Sequence, residues 1–390
     1  MQAIEILFWT TLFIVFYSYI GYGILLYLMV LVKRSLPGNK TEADPEYEPQ
    51  VTLFVAAYNE KDFVHEKIAN SFELDYPASK IQHLWVTDGS DDGTPDLLKE
   101  YPGIKVLHLP ERQGKIAAIN RAMPYVTTPL TIFSDANTTL GRESISHIVN
   151  LFSDPKVGCV SGEKRIKTTV AEAAAAAGEG FYWKYESALK KWDAELNSVV
   201  GAAGELFAIR TELFAPVEPD TILDDFIISL RIAMKGYTIQ YNPEAFALET
   251  ASADVEQELK RKIRIAAGGL QSVIRLAPLL NIFRYRLLSF QYISHRVLRW
   301  TLAPLGLSLI FVFNAILLNQ AFLYQILFFS QIVFYLAALT GWLLERRKIK
   351  FKLFFIPYYF FIMNYAVYRA FWRFINKTQS VVWERAQRQR

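Results

Sequence analysis

Residues 51–60, VTLFVAAYNE, set the pattern on which the fold of this chain depends. An apolar run from Val51 to Ala57 is followed directly by the polar group Tyr58-Asn59-Glu60. The same order recurs at residues 81–94, IQHLWVTDGSDDGT, and at residues 130–137, LTIFSDAN. Short apolar runs bounded by turn-forming residues are typical of buried strands. We therefore predict strands whose carboxyl ends carry polar and acidic side chains.

Helical stretches alternate with these strands along the chain. The predicted strands are Val51–Ala57, Ile81–Thr87, Ile104–Leu109, Leu130–Phe133 and Val157–Val160. The predicted helices lie near residues 60–73, 92–100, 114–123 and 142–153. This alternation indicates an α/β fold with a doubly wound, mostly parallel sheet. Ligands of such sheets bind beyond the carboxyl ends of the strands, so the residues there are the first candidates for function.

The loops after the strands carry the candidate binding residues. Asp88 opens an Asp-Gly-Ser turn, for which turn chemistry alone is an alternative explanation. Asp135 and Asn137 offer the hard oxygen atoms that Mg²⁺ or Mn²⁺ on a diphosphate prefers. Lys115, at a predicted helix start, would add charge for a phosphate, although a lone lysine is more often a solvated surface residue. The sequence has neither GxGxxG after a strand nor GxxxxGK[ST], which disfavours dinucleotide-binding and P-loop classes.

The composition indicates that part of the chain lies in a membrane. Of its 390 residues, 52% are hydrophobic, 15% aromatic and 21% charged, which is too apolar for soluble domains alone. The net charge of +4 is close to neutral and argues against nucleic-acid binding. Cys159 is the single cysteine, which excludes an internal disulfide framework and a Cys-based zinc site and favours a reducing compartment.

Long uncharged segments predict where the chain enters the membrane. Ile6 to Val32 comprises 27 uncharged residues, or about 40 Å of helix, which is enough to span the hydrocarbon core. Its length and the absence of a basic start disfavour a cleaved signal peptide. Lys33 and Arg34 then place the following domain in the cytoplasm by the positive-inside rule. Thr301 to Leu344 comprises 44 uncharged residues, enough for two crossings that turn at Asn319-Gln320.

Two further segments are membrane-associated by prediction. Residues 260–299 contain nine basic and no acidic residues among apolar ones, which indicates amphipathic helices in the inner headgroup region of the lipid. Leu353 to Tyr368 is a shorter apolar run with Pro357, and it is compatible with a span, a re-entrant segment or an interfacial helix. The predicted organisation is an anchor (1–36), a linker (37–50), a cytoplasmic domain (51–259), interfacial helices (260–299), two membrane helices (300–344) and a basic loop, short apolar segment and cytoplasmic tail (345–390).

Taken in order, the motifs resemble those of the membrane-integrated branch of glycosyltransferase family 2, which includes hyaluronan, chitin and cellulose synthases. The resemblance covers about Val51 to Gln271. It rests on residues 57–60, 88–94, 114–120, 133–138, 201–210, 223–226 and 261–264. It implies a GT-A-like fold that binds a nucleotide-sugar and transfers the sugar with inversion in the presence of Mg²⁺ or Mn²⁺. Asn137 departs from the second aspartate of many relatives, and Ile265 from the tryptophan of processive synthases, which puts processive polymer synthesis in doubt.

The resemblance also implies roles for individual residues. Tyr58, Glu60 and Asp88 would hold the nucleoside, Lys115 would assist at the phosphates, and Asp135, with Asn137, would bind the metal ion. Asp225 occupies the position of the general base, and Arg261 and Arg264 match the element that grips the diphosphate. The acceptor or gating candidates are Gly204, Glu205, Asp224, Trp383 and Arg385.

Elementary chemistry requires the same residue types. A departing diphosphate gains negative charge that cations must neutralise, and one carboxylate suffices to take the proton of an acceptor hydroxyl. A glycosidase would instead need two opposed carboxylates. Asp224 and Asp225 have a second interpretation, as a helix cap and its neighbour. Because the helix dipole favours negative charge at a helix start, we expect Asp225 to be kept ionised there.

The sequence therefore predicts a metal-dependent, inverting glycosyltransferase in the inner or plasma membrane of a bacterium. Its donor would be a UDP-sugar and its acceptor a glycan or a lipid-linked saccharide, with membrane lipids as further partners. Two alternatives stay open: a polyprenyl-phosphate sugar transferase and a non-catalytic nucleotide-binding membrane protein. The oligomeric state is open too.

Overall fold

The computed structural model describes residues 1–37, 46–167, 177–250, 255–347, 349 and 351–376. The predicted gating residues Trp383 and Arg385 lie outside the described residues. Within this part of the chain, a mixed sheet of eight strands forms the centre of the molecule. The strands are β1 (Val51–Ala57), β2 (Ile81–Asp88), β3 (Ile104–Leu109), β4 (Leu130–Asp135), β5 (Thr138–Leu140), β6 (Val157–Lys167), β7 (Leu206–Arg210) and β8 (Thr238–Thr250). Their order across the sheet is β3-β2-β1-β4-β7-β6-β8-β5.

The first half of the sheet is parallel and aligns the predicted binding loops. β1 lies between β2 and β4, and β2 pairs with β3, all in parallel register. Ala57 stands opposite Thr87, and Ala56 stands opposite Asp135. Residues 58–60, 88–94 and 135–137 therefore emerge from the same edge of the sheet.

Helices cover both faces of this half, which explains why β1 is apolar on both sides. Phe54 and Phe133 belong to one core cluster, and Leu53 and Ile132 belong to a second cluster on the other face. A strand buried on two faces needs a continuous apolar run rather than an alternating one. The helices around the sheet are α2 (Lys61–Phe72), α3 (Thr94–Lys99), α4 (Lys115–Ala122), α5 (Ser144–Leu151), α6 (Ala177–Leu196) and α7 (Asp224–Met234), after α1 (Gln2–Ser35) at the start of the chain.

The second half of the sheet departs from the prediction. β7 runs antiparallel to β4 and β6, and β5 runs antiparallel to β8, so four of the seven strand pairings are parallel. β6 continues to Lys167, well beyond the predicted end at Val160. Because residues 163–165 are charged, the sequence shows no apolar strand pattern for this extension. In the structure Glu163 is buried and accepts hydrogen bonds from Tyr241 at 2.7 Å and Ser187 at 2.5 Å.

Further helices follow the sheet domain. They comprise α8 (Val255–Arg275), α9 (Leu287–Trp300), α10 (Leu302–Leu317), α11 (Phe322–Arg346) and α12 (Lys352–Ile375). By length and composition, α1 and α11 are candidates to cross a membrane, and the pair α9–α10, bent by 53°, is a third. α1 packs on α10 through a cluster that includes Phe8, Val15, Ile310 and Leu317.

Helix α8 forms the junction between the sheet domain and the helices that follow it. α8 begins at Val255, so the predicted boundary at residue 259 falls inside a helix. Ile263 and Ala266 of α8 pack against Ala370 of α12. The connection between α8 and α9 instead exposes apolar side chains, and Phe283 there is 92% exposed.

Candidate active site

The loops after β1 and β2 are locked together by turn residues. Asn59 adopts a positive φ of 53°, and its side-chain amide exchanges hydrogen bonds with Asp91 at 2.8 and 3.0 Å. The amide of Glu60 donates to Thr94, and the amide of Lys61 donates to Asp92, both at 3.1 Å. The polar residues of the Asp-Gly-Ser-Asp-Asp-Gly-Thr segment thus have the turn-forming function that the sequence offered as an alternative, in addition to any role in binding.

Tyr58 and Asp88 lie side by side on this framework. The guanidinium of Arg112 stacks on the Tyr58 ring at 3.6 Å from its centroid. Oδ2 of Asp88 accepts the backbone amides of Gln113 at 2.8 Å and Gly114 at 2.6 Å. Asp88 is only 4% exposed, so it holds the loop that leads into α4 as well as bordering the cleft.

Lys115, the first residue of α4, lies between two acidic side chains. Its Nζ is 2.9 Å from Oδ1 of Asp135 and 3.6 Å from Oδ2 of Asp224. Burial favours the neutral amine, but Asp135 and Asp224 outweigh it and raise the pKa of Lys115 above its usual value. Lys115 is therefore a fixed positive charge and not the solvated surface residue of the alternative interpretation.

Asp135 and Asn137 form the candidate metal position. Burial raises the pKa of Asp135, although Lys115 opposes that effect. Oδ1 of Asn137 is buried and has no hydrogen-bond partner among the described residues. Over the same residues no group of three or more His, Cys, Asp or Glu side chains could hold a metal ion. One carboxylate and one unsatisfied amide oxygen fit a cation whose other ligands come from a diphosphate and water.

Asp225 lies in the first turn of α7, next to Asp224. Leu223, not Asp224, is the residue at the capping position of α7, and among the described residues no side chain makes a capping bond at this helix start, so the predicted cap is wrong. A Cβ atom on Gly204 would be 3.1 Å from Oδ2 of Asp225, which shows how closely the 201–205 loop approaches this carboxylate.

The expected ionisation of Asp225 is also wrong. Burial, followed by the charge of Asp224, raises the pKa of Asp225 to about 7, and Lys115 only partly opposes them. The helix start was expected to keep the carboxylate ionised, but desolvation is the larger effect. A carboxyl group whose pKa is raised toward neutrality suits a step in which it must accept a proton and release it again.

A second charged network surrounds Glu205 and Arg261. Lys164 is 2.7 Å from Glu205 and also pairs with Glu249. Burial works against ionisation of Glu205, but Lys164 and Arg261 outweigh it and lower its pKa. Arg261 makes two hydrogen bonds to Glu258, at 2.9 and 3.0 Å. These charges hold the 201–205 loop and the start of α8 together.

Arg264 connects this network to the acidic cluster. Burial lowers the pKa of Arg264, while Asp224, Asp225 and Asp135 act in the opposite direction, which places all three carboxylates within its electrostatic reach. Its guanidinium donates to the carbonyl of Ile222 at 3.4 Å. The structure thus assembles Lys115, Asp135, Asp224, Asp225, Gly204 and Arg264 at one place, with Glu205 and Arg261 beside them and Tyr58, Glu60 and Asp88 along the same edge.

One residue at this edge was missed from the sequence. Lys67 of α2 is 2% exposed and donates to Oγ of Ser134 at 2.7 Å and to the carbonyl of Thr138 at 2.9 Å. Burial lowers its pKa to about 7. Lys67 thus stabilises the turn that carries Asp135 and Asn137. A lysine in a polar helix resembles any surface lysine, so no sequence signal distinguishes it.

An α/β sheet with a cluster of cationic and acidic side chains at its carboxyl edge is the arrangement that the sequence predicted for a glycosyltransferase. The chain belongs to the glycosyltransferase-like family 2, whose family model matches residues 49–268. It is 25% identical over 285 residues to a poly-β-1,6-N-acetyl-D-glucosamine synthase of Staphylococcus aureus, covering 70% of this chain and 67% of the relative. It is 29% identical over 208 residues to a β-monoglucosyldiacylglycerol synthase of Trichormus variabilis, covering 49% of this chain and 43% of that protein.

A solved structure confirms the fold over nearly the whole chain. The mannosyltransferase PcManGT of Pyrobaculum calidifontis, in complex with GDP-Man and Mn²⁺, superposes with a TM-score of 0.71 at 22% identity. The match covers 96% of this chain and 100% of that one. The predicted α/β, GT-A-like architecture and the family assignment are thus confirmed.

Proposed function

We propose that this chain is a membrane-bound, inverting transferase that moves a sugar from a nucleotide-sugar, UDP-linked by family resemblance, to a glycan or lipid-linked saccharide. One observation carries the proposal. Asp225, whose pKa is about 7, shares a buried cluster with the cation Lys115, the candidate metal ligand Asp135 and the guanidinium of Arg264. A proton acceptor and a set of positive charges are the two components that this transfer requires.

The charges act on the departing diphosphate. As the bond from the anomeric carbon to the diphosphate breaks, negative charge grows on the leaving oxygen, and Lys115 and Arg264 neutralise it. Arg261, held by Glu258, extends the positive surface along α8. Asp135 and Asn137 would hold a divalent cation such as Mg²⁺ or Mn²⁺, which would supply further charge neutralisation at the phosphates.

The base acts on the acceptor. Asp225 accepts the proton of the acceptor hydroxyl while that oxygen attacks the anomeric carbon from the face opposite the diphosphate, which inverts the configuration. Gly204 leaves open the space beside Oδ2 of Asp225, because a Cβ atom there would be only 3.1 Å away. Tyr58, Glu60 and Asp88 hold the nucleoside at the other end of the edge.

A glycan acceptor is the first candidate, since a curated relative bears the name of a poly-N-acetylglucosamine synthase. A lipid acceptor is the second, favoured by the exposed apolar side chain of Phe283 near the α8–α9 connection. A polyprenyl phosphate acceptor is already ionised and needs no base, so dependence on Asp225 separates it from a hydroxyl acceptor. A purely nucleotide-binding protein would tolerate loss of Asp225.

The test is a donor screen on detergent-purified protein with membrane extract as the source of acceptor. Released nucleoside diphosphate is measured with Mn²⁺ or Mg²⁺ for the wild type and for Asp225→Asn, and after addition of EDTA. We expect release from one class of donor, loss of about 10²- to 10⁴-fold in the variant, and loss on chelation. Asp96→Asn is the matched control, because that carboxylate lies on the surface of α3 with an 82% exposed side chain. Unchanged release by Asp225→Asn would overturn the assignment of the base.

A further inference from the structure

Helix α9 joins the membrane helices to the candidate active site through two adjacent rows of side chains. One row comprises Gln291, His295 and Arg299, and the other comprises Tyr292, Arg296 and Trp300. Members of each row are four residues apart, so each row lies along one side of the helix. A π-helical turn at Ile293–Val297 lies in the middle of both rows.

The first row anchors α9 to α6 and α1. Nε2 of Gln291 donates to Oδ1 of Asp193 at 3.0 Å, and Nδ1 of His295 is 2.6 Å from Oδ2 of the same carboxylate. Tyr22 of α1 also donates to Asp193, at 2.5 Å. Asp193, Gln291, His295 and Tyr22 are all completely buried.

Arg299 completes this anchor. It pairs with Glu186 of α6, and its Nε donates to the carbonyl of Ser18 in α1 at 3.0 Å. A network of buried charges fixes its members in one arrangement, since removal of any partner leaves an uncompensated polar group. The position of α9 is thus set by the first membrane helix and by α6.

The second row contacts the loop and the helix that carry the base. The Trp300 ring meets the Phe226 ring edge-on at 5.2 Å, and Tyr292 lies 6.3 Å from the same ring. Nε of Arg296 donates to the carbonyl of Val200 at 3.4 Å, at the start of the 201–205 loop. Phe226 directly follows Asp225 in the first turn of α7.

Two glycines show how little space the Phe226 and Trp300 rings have. A Cβ atom on Gly201, whose φ is +87°, would be 2.2 Å from Cδ2 of Phe226. A Cβ atom on Gly269 of α8 would be 2.5 Å from Cδ2 of Trp300. Phe226 is therefore held between the backbone of Gly201 and the indole of Trp300, and Trp300 is held against the backbone of α8.

We infer that Trp300 is a positioning residue for Asp225: α9, anchored to the first membrane helix, presses its indole on Phe226 and so fixes the base relative to the acceptor. The inference rests on the proposed role of Asp225. Trp300, which lies at the bend between α9 and α10, thereby affects catalysis. A displacement of the base by about 1 Å would reduce the rate by up to about a hundredfold without affecting nucleotide binding.

The experiment compares Trp300→Ala, Trp300→Phe and Asp225→Asn in the full-length, detergent-purified chain. The measured quantities are kcat, the KM of the donor, and the Kd of the nucleoside diphosphate with Mn²⁺ by calorimetry. We expect Trp300→Ala to lower kcat by about 10- to 100-fold, with donor KM and nucleotide Kd within about twofold of wild type. Trp300→Phe keeps an aromatic ring at the contact and should recover most of kcat.

Two further variants separate positioning from general damage. Trp342→Ala removes an indole of α11 that Arg346 covers at 4.1 Å, outside the anchor of α9, and kcat should stay within about twofold of wild type. Gly269→Ala should lower kcat by displacing the indole, but should cause no additional loss when combined with Trp300→Ala, because the two changes act on one contact.

The outcomes distinguish the inference from the proposed function. An unchanged kcat in Trp300→Ala, or a loss of kcat accompanied by an equal loss of nucleotide binding, would overturn the positioning role. Additive losses in the double variant would overturn it as well. Retained transfer by Asp225→Asn would instead overturn the proposed base, whatever Trp300 does.

Discussion

The two ends of the candidate site are built in different ways. At the β1–β2 end, residues 58–60 and 88–94 are held by short hydrogen bonds from turn residues such as Asn59, Asp92 and Thr94. At the α7–α8 end, Asp225 and Arg264 are held by buried charges and aromatic packing from segments far apart in the chain. The first end is specified by local sequence, and the second depends on the whole assembly, including the apolar helices α1 and α9.

The contrast predicts different consequences for substitutions at the two ends. A change at the β1–β2 end should act mainly on nucleotide affinity, since that loop framework borders the nucleoside. A change at the α7–α8 end should act mainly on kcat, because it alters charge and position where bonds form and break.

Lys115→Met should have the largest effect on kcat among changes at the cationic centre. The substitution removes the charge that lies 2.9 Å from Asp135 and 3.6 Å from Asp224. We expect kcat to fall by about 10²- to 10³-fold, comparable to the loss of one preorganised donor at a developing anion. Steady-state release of nucleoside diphosphate measures it. Lys99→Met, at a surface pair with Asp96, is the control, and an effect of equal size in both variants would contradict the special position of Lys115.

Asp88→Asn should have a smaller effect, and of a different kind. One oxygen of the Asp88 carboxylate accepts hydrogen bonds from the backbone amides of Gln113 and Gly114, and the other lies 3.7 Å from Arg121. Whichever oxygen the amide nitrogen of asparagine replaces, that nitrogen would face another N–H donor. Loss of a hydrogen bond to a charged group costs about 1.5–3 kcal/mol, which corresponds to a roughly 10- to 100-fold rise in nucleotide Kd. Calorimetry with nucleoside diphosphate and Mn²⁺ measures it. A fall in kcat at saturating donor with unchanged Kd would contradict the division between the two ends.

The sequence predicted the β1–β2 end well because its information is local. The strands at 51–57 and 104–109 have the predicted bounds, and the acidic residues fall at the strand ends as expected. Each signal spans a few neighbouring residues, namely an apolar run and a turn of Asp, Asn and Gly.

The α7–α8 end could be predicted only in part. The motif around Asp225 was found, but its raised pKa was not. That rise depends first on burial by the whole assembly, then on the adjacent Asp224 and on Glu205 from a separate loop, while Lys115 opposes it. The pairing of Lys164 with Glu205 joins residues 41 positions apart, and that of His295 with Asp193 joins residues 102 apart. No periodicity in the sequence encodes such pairs. For the same reason the charged end of β6 was not predicted to be part of a strand.

The most direct test of the central claim, that Asp225 is the base, is the pH dependence of kcat/KM in wild type, Asp224→Asn and Asp225→Asn. Because kcat/KM reports the free enzyme, the wild-type value should rise with pH, with its midpoint near pH 7, and level off at higher pH, where Asp225 is deprotonated. Removing the charge of Asp224, which raises the pKa of Asp225, should move this rise to lower pH. The rise should vanish in Asp225→Asn, leaving a low and flat residual. A rise centred at the same pH in wild type and in Asp225→Asn would contradict the account.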